Sequence, residues 1–292
     1  MEQFALDAVE SVTTRPRETY DSFVVDPLTP LLGAEVTGLD LSRELTSEQE
    51  KEVKQAFLTH HVLAFRDQHL TPEDHKRFAA LFGPLHPVAL PAEGSDPYIL
   101  EISANKNSRM IAGNGWHADG TADAEPSLGS MLHITRVPEV GSGGDTLFAN
   151  MHLAYEMLSP AMKTFLDGLT AVHDGALPWL AQGQTPPPEY DVPRNEHPVV
   201  ARHPDTGRKI LFVNAPYTSH ITQLSRSESA AVLEMLYTHI ARTPLLHCRV
   251  RWQPNTLVFW DNRCVQHHAV WDYFPHSRYG RRVAIDGTRP RA

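Results

Sequence analysis

Asn255–Val270, NTLVFWDNRCVQHHAV, decides how the rest of the chain is read. A strongly apolar strand runs directly into polar residues and then into a histidine pair, as a barrel presents side chains at its open mouth. One histidine of that pair, His267 or His268, could serve as a metal ligand, and strand parity alone does not choose between them. Partners must come from elsewhere. The stretch Gly115–Gly120, GWHADG, offers two. In extended backbone His117 and Asp119 leave the same face while Ala118 points away, so an imidazole nitrogen and a carboxylate oxygen can grip one ion.

An isolated H-x-D is most often a surface pair near a turn, and 17 histidines make coincidence a serious competitor. Most of them are expected to be bland. His60 and His61 fall at a helix end, His239 lies in a helical pattern, and His197 and His203 flank strands; each reads as a surface or satisfied core residue. Two histidines and one carboxylate leave coordination positions open, the facial arrangement of non-haem Fe(II) oxygenases. Zinc hydrolysis is the competing chemistry, but no H-E-x-x-H pair occurs, and arginines follow the distal histidine where an anionic cosubstrate could be clamped.

Working outward, the chain beyond Gly83 is a succession of short strand-like pieces: YILEI, GSMLHIT, DTLFAN, HPVVARH, KILFVN, HCRVRW and NTLVFW. HPDTGRK makes a hairpin turn between two of them. The expected fold is mainly β with flanking helices, an antiparallel sandwich or barrel of jelly-roll type. Helices are expected after Thr46 with Gln49 as capping box, after Thr71-Pro72, after Ser159-Pro160, and after Ser225 with Glu228. Residues 1–24 show no sustained apolar period and are expected to form an extended or mobile arm, leaving 25–292 as one catalytic domain. The proline-rich segment over 178–198 reads as a long surface loop, either a lid or a disordered insertion.

Composition excludes several classes. A hydrophobic share of 41% in 292 residues supports a sizeable core. The net charge of −9, with no basic tract, opposes binding to a nucleic-acid backbone. Two cysteines, Cys248 and Cys264, are too few for a disulfide framework, and neither a signal peptide nor a membrane-spanning run is apparent. A cytoplasmic protein is expected.

Taken together, WHAD (116–119), GGDTLFANMHLAYEMLS (143–159), LFVN (211–214), RWQPNTLVFWDNRCVQHHAV (251–270) and FPHSRYGRRVAIDG (274–287) resemble, in order and spacing, the taurine dioxygenase family of Fe(II)/2-oxoglutarate dioxygenases. That family includes phenoxyalkanoate dioxygenases and alkylsulfatases. The resemblance runs from about Leu28 to Gly287. It implies a double-stranded β-helix, and oxidative decarboxylation of 2-oxoglutarate by O2 coupled to attack on a substrate C–H bond. It implies His117, Asp119 and His267, rather than His268, as iron ligands. Thr146 and Arg278 are similar to the residues that hold the far carboxylate of 2-oxoglutarate. Arg282 is similar to one that meets an anionic substrate group or helps hold the cosubstrate. His86 stands at a possible anion contact, with a structural histidine as the alternative.

Where taurine hydroxylases place a tyrosine and an asparagine, Leu90 and Gly113 stand here. The implied substrate is therefore a small anionic organic molecule (sulfonate, sulfate ester or carboxylate) with a more apolar body than taurine. Natural-product tailoring and aryloxyalkanoate cleavage use the same cofactor chemistry, and a non-catalytic barrel that binds a small acid is the alternative from another class. A homo-oligomer would be ordinary for such enzymes, but no interface is legible.

Overall fold

The computed structural model describes residues 2–16, 18–138 and 143–292. Its largest sheet has eight strands. The order is Val24–Pro27, Ala34–Thr37, Val62–Phe65, Thr256–Asp261, Gly129–Arg136, Arg278–Ile285 and Leu85–His86, with Leu100–Ala104 also pairing to Arg278–Ile285. Among the described residues only Ala34–Thr37 and Val62–Phe65 pair in parallel. A three-stranded sheet of His247–Val250, Thr146–Asn150 and Val265–Ala269 forms the facing wall. This is the double-stranded β-helix, with smaller sheets and helices around it.

The apolar stretch over 256–261 is continuous rather than alternating because both faces of the large sheet are covered. Val258 and Trp260 join Val62, Ala64, Leu132 and Ile134 in a core shared with Phe148, Ala149 and Val265 of the facing wall. Leu257 and Phe259 turn the other way with Leu63, Phe65 and Met131, onto Val53, Ala56, Phe57 and Phe78 of two helices. The Phe57 and Phe259 rings stack at 3.8 Å between centroids. Period two thus divides one strand between two cores.

Those helices, Ser47–His60 and Pro72–Ala80, begin where their caps predict. Thr46 and Thr71 each accept from the third helical N–H, and Gln49 and Asp74 return the bond. Ser159 caps Pro160–Leu166, and a full capping box at Ser225 and Glu228 starts Arg226–Arg242. The expected hairpin pairs Val200–Arg202 with Lys209–Leu211. No helix among the described residues is long and apolar enough to cross a membrane.

The expectation of an extended arm over 1–24 is corrected. Gln3–Thr13 is a helix, with Ala5 and Ala8 buried in the main core, and Val24–Pro27 is already a strand. Two of the buried positions are alanines, whose small side chains give a weak periodic signal although they allow close packing.

Two histidines make the fold sensitive to acid. His75 and His173 are buried, each with an Nε2 that has no hydrogen-bond partner among the described residues, and burial holds each imidazole down to about 3. Their folded pKa values lie below the unfolded value of about 6.5, so as pH falls through that value the unfolded chain takes up protons that the native chain refuses. Stability is fully present above the unfolded value and is lost toward the folded one. Urea midpoints measured at about pH 7 and pH 5 are expected to differ by more than about 2 kcal/mol of stability, with pH 5 lower. Equal midpoints would contradict this account.

Candidate active site

His117 and His267 are directly opposed in an antiparallel bridge. His117 N donates to His267 O at 3.1 Å, and His267 N donates to His117 O at 2.7 Å. This double exchange brings two distant residues into register, with ring centroids 4.1 Å apart. Parity now separates the histidine pair. His267 is buried and faces inward, whereas His268 is partly exposed, with Nε2 3.3 Å from Asn114 Oδ1.

His117 Nδ1 donates to Gly115 O at 2.8 Å, which leaves the Nε2 lone pair free. Asp119 Oδ1 lies 3.7 Å from His117 Nε2 and 3.9 Å from His267 Nε2. The three residues form a buried group able to hold one metal ion. Burial pushes the Asp119 carboxyl up. The Arg282 guanidinium, the two imidazoles and the Ser130 hydroxyl outweigh it and hold the group well below the usual carboxylate range. His267 is driven down to about 3, chiefly by burial, so it presents a lone pair rather than a proton.

Asn262 fixes the main chain of Asp119. Asp119 N donates to its Oδ1 at 2.7 Å, and its Nδ2 donates to Asp119 O at 2.9 Å. Ser130 Oγ donates to Asp119 Oδ2 at 3.0 Å, leaving Oδ1 aimed at the imidazoles. The neighbouring motif residues serve the fold. Asp261 accepts from His203 at 2.9 Å and from Arg263 at 2.7 Å, and Gln266 Nε2 donates to Val213 O at 2.6 Å.

Arg278 is buried at 5% exposure and lies 5.3 Å over the Trp252 ring. Its Nε and Nη2 have no hydrogen-bond partner among the described residues. A buried cation with free donors is costly unless an anion meets it. Trp252 Nε1 donates to Thr146 Oγ1 at 3.0 Å, so one indole positions both residues. Gly144 explains the double glycine: its φ is +87°, and a Cβ there would meet Tyr273 at 3.2 Å and Arg278 at 3.4 Å. Its N–H donates to Asp272 Oδ1 at 2.7 Å.

Arg282 Nη1 sits 2.8 Å from Asp119 Oδ1, a contact that sequence alone did not reveal. His86 Nδ1 lies 2.9 Å from Asp286 Oδ1. Both arginines, Thr146, the three candidate ligands and His86 line one cavity of about 820 Å³. Leu90, Leu100, Ile102 and Trp179 give it apolar walls, and Gly113 leaves room beside His117, where a Cβ would stand 3.1 Å from Cε1. The segment expected as a long loop over 178–198 is partly regular, with Trp179 in the short helix Leu177–Leu180 and a strand over Arg194–Pro198; Trp179, Tyr190, Asp191 and Pro193 make it border the site. Sequence reasoning missed Trp252, Asp123 and Tyr217. Asp123, whose carboxyl is raised by burial, and Tyr217, raised by burial to about 12, also reach the cavity. Their positions carry no local signal because they depend on which strands meet.

The donor set fits ferrous iron, since two imidazoles and one carboxylate converge and the tautomer of one is fixed. The free Nε and Nη2 donors of Arg278 among the described residues, in the same cavity, fit a dicarboxylate cosubstrate. The chain is 37% identical over 277 residues to an alkylsulfatase of Acinetobacter baylyi, covering 89% of this chain and 84% of that protein. It is 33% identical over 268 residues to an alpha-ketoglutarate-dependent 2,4-dichlorophenoxyacetate dioxygenase of Cupriavidus pinatubonensis, covering 85% and 92%. A crystal structure of a taurine dioxygenase from Burkholderia xenovorans superposes with a TM-score of 0.79 at 34% identity, covering 92% of this chain and 93% of that one. Residues 25–284 match the model of the taurine catabolism dioxygenase TauD, TfdA family. That match, spanning both walls of the β-helix, shows that the chain belongs to this family of Fe(II)- and 2-oxoglutarate-dependent dioxygenases.

Proposed function

We propose that this enzyme oxidises a C–H bond of a small anionic organic substrate, a sulfonate, sulfate ester or carboxylate, through one catalytic domain over 25–292. His117, Asp119 and His267 hold the iron, Thr146 and Arg278 hold the far carboxylate of 2-oxoglutarate, and Arg282 with His86 receives the substrate anion. When bound, iron, 2-oxoglutarate and O2 supply oxidation coupled to decarboxylation, with succinate and CO2 as coproducts.

The observation that carries this reading is the shared cavity, in which three metal-competent atoms and a buried guanidinium with free donors converge. Arg278 binds and orients the cosubstrate. A guanidinium can engage both oxygens of a carboxylate, and Thr146 adds a hydroxyl while Trp252 holds both side chains in place. Arg282 has two tasks. It steadies the Asp119 oxygen that faces the imidazoles and leaves other donors toward the cavity.

Apolar walls exclude water and favour a substrate with a hydrocarbon or aryl body. The nearby relatives whose names specify an alkyl sulfate or an aryloxyacetate as substrate support that choice. Two free buried cysteines support a cytoplasmic setting.

Succinate release is expected with Fe(II), ascorbate and 2-oxoglutarate, stimulated by at least one alkyl sulfate, alkanesulfonate or aryloxyacetate. His117→Ala should lose both the basal and the stimulated release. Equal release from wild type and variant would instead support a binding barrel without chemistry.

A further inference from the structure

His61 stands where a helix end predicts only a surface or satisfied core histidine, and it is neither. It closes Ser47–His60 in the left-handed region at φ 62°, is 2% exposed, and its Nδ1 has no partner among the described residues. His152, fully buried on the helix Met151–Glu156, donates from Nδ1 to Lys209 O at 2.9 Å and has an unpartnered Nε2. Cys264 is a free buried thiol in the turn between Thr256–Asp261 and Val265–Ala269. One ligand atom from each of the three lies within 4.8 Å of the others.

We propose that His61, His152 and Cys264 form a second, buried metal site, distinct from the His117, Asp119 and His267 group, that takes zinc or another thiolate-seeking divalent ion. Buried polar atoms are nearly always satisfied, and two unpartnered ring nitrogens beside a thiol are satisfied together by one electrophile. The Lys209 carbonyl fixes the His152 tautomer so that Nε2 offers a lone pair, as outer partners of metal-bound histidines do.

Burial holds His61 down to about 3 and His152 to about 2, so both imidazoles are neutral ligands. Three atoms at the 4.8 Å limit lie about 2.8 Å from a common centre, and zinc takes nitrogen at about 2.0 Å and sulfur at about 2.3 Å, so a closure of under about 1 Å suffices. As the sulfur–metal bond forms, the Cys264 proton leaves to bulk water and no oxidation state changes.

The surroundings set the preference. Asp261, which has a carboxylate oxygen within 4.8 Å of the sulfur, favours a cation. It is already engaged by His203 and Arg263 and stays outside the trio. Arg208 opposes a cation near both imidazoles, and His203 and His60 also face the group. Without an oxygen donor the trio is softer than the group containing Asp119, so a thiolate-seeking ion and ferrous iron sort to different sites.

The test uses the full chain carrying His117→Ala and Asp119→Ala, which disables the other site, dialysed against Co(II) alone. One equivalent of Co(II) per chain and a near-ultraviolet thiolate-to-cobalt charge-transfer band are expected. Adding Cys264→Ser or, separately, His152→Ala should remove both, with circular dichroism reporting the fold. If one of these variants does not fold, His61→Gln supplies the comparison. No band in the parent, cobalt binding without the band, or a band that survives Cys264→Ser overturns the proposal.

Discussion

His267→Ala is expected to abolish 2-oxoglutarate turnover, with succinate formation falling on the order of 10³-fold or more, while His268→Ala retains most of it. The two side chains are neighbours in sequence but opposite in effect. His267 is bridged backbone to backbone with His117 and lies beside Asp119, whereas His268 turns toward Asn114 and the surface. Removing one of the three proposed ligands leaves an imidazole and a carboxylate, too few to hold a ferrous ion against water. The bridge between 117 and 267 is made by main-chain atoms, so the alanine variant keeps its sheet. Equilibrium binding of Fe(II) under anaerobic conditions, beside succinate assays on both variants, checks the contrast. Comparable losses in the two variants would remove the assignment.

Arg278→Met is expected to raise the KM for 2-oxoglutarate by about 30-fold or more, the 2–5 kcal/mol typical of truncating a buried charge pair. The same substitution should leave the thermal stability of the protein without cosubstrate unchanged or higher. The reason lies in the free donors: Arg278 Nε and Nη2 are buried without partners among the described residues, and burial pushes the guanidinium below its ordinary value although it remains a cation. Such a charge is a cost in the fold and a gain only when a carboxylate arrives. Kinetics and thermal unfolding of the variant are predicted to move in opposite directions. A large fall in stability with no change in KM would show that Arg278 serves the fold instead.

How much was legible before the structure depends on how far each signal extends along the chain. Thr46, Thr71, Ser159 and Ser225 announced their helices because a cap and its partner stand three residues apart, within reach of one another in any context. The strand over 256–261 was legible from its residue types, and its unbroken apolarity is explained by helices on one face and a second sheet on the other. The first helix was missed because Ala5 and Ala8 supply contact without much hydrophobicity. Trp252 was quoted within a motif, yet nothing local tells that its indole joins Thr146 to Arg278. Arg282 was expected beside an anion, and the anion it meets in the fold is Asp119 itself.

The sequence by itself determined the local structure, the mainly β class and the kinds of ligand on offer, because capping, period two and side-chain chemistry are properties of contiguous residues. Parity left His267 and His268 open until the motif resemblance pointed to His267, and only the tertiary structure turned that side chain inward and decided which oxygen of Asp119 is presented. It alone left Arg278 Nε and Nη2 without a partner among the described residues and gathered His61, His152 and Cys264. Those outcomes depend on strand register and on which distant segments exclude water from one another. Both are set by the whole network of backbone hydrogen bonds and core contacts rather than by any stretch within it.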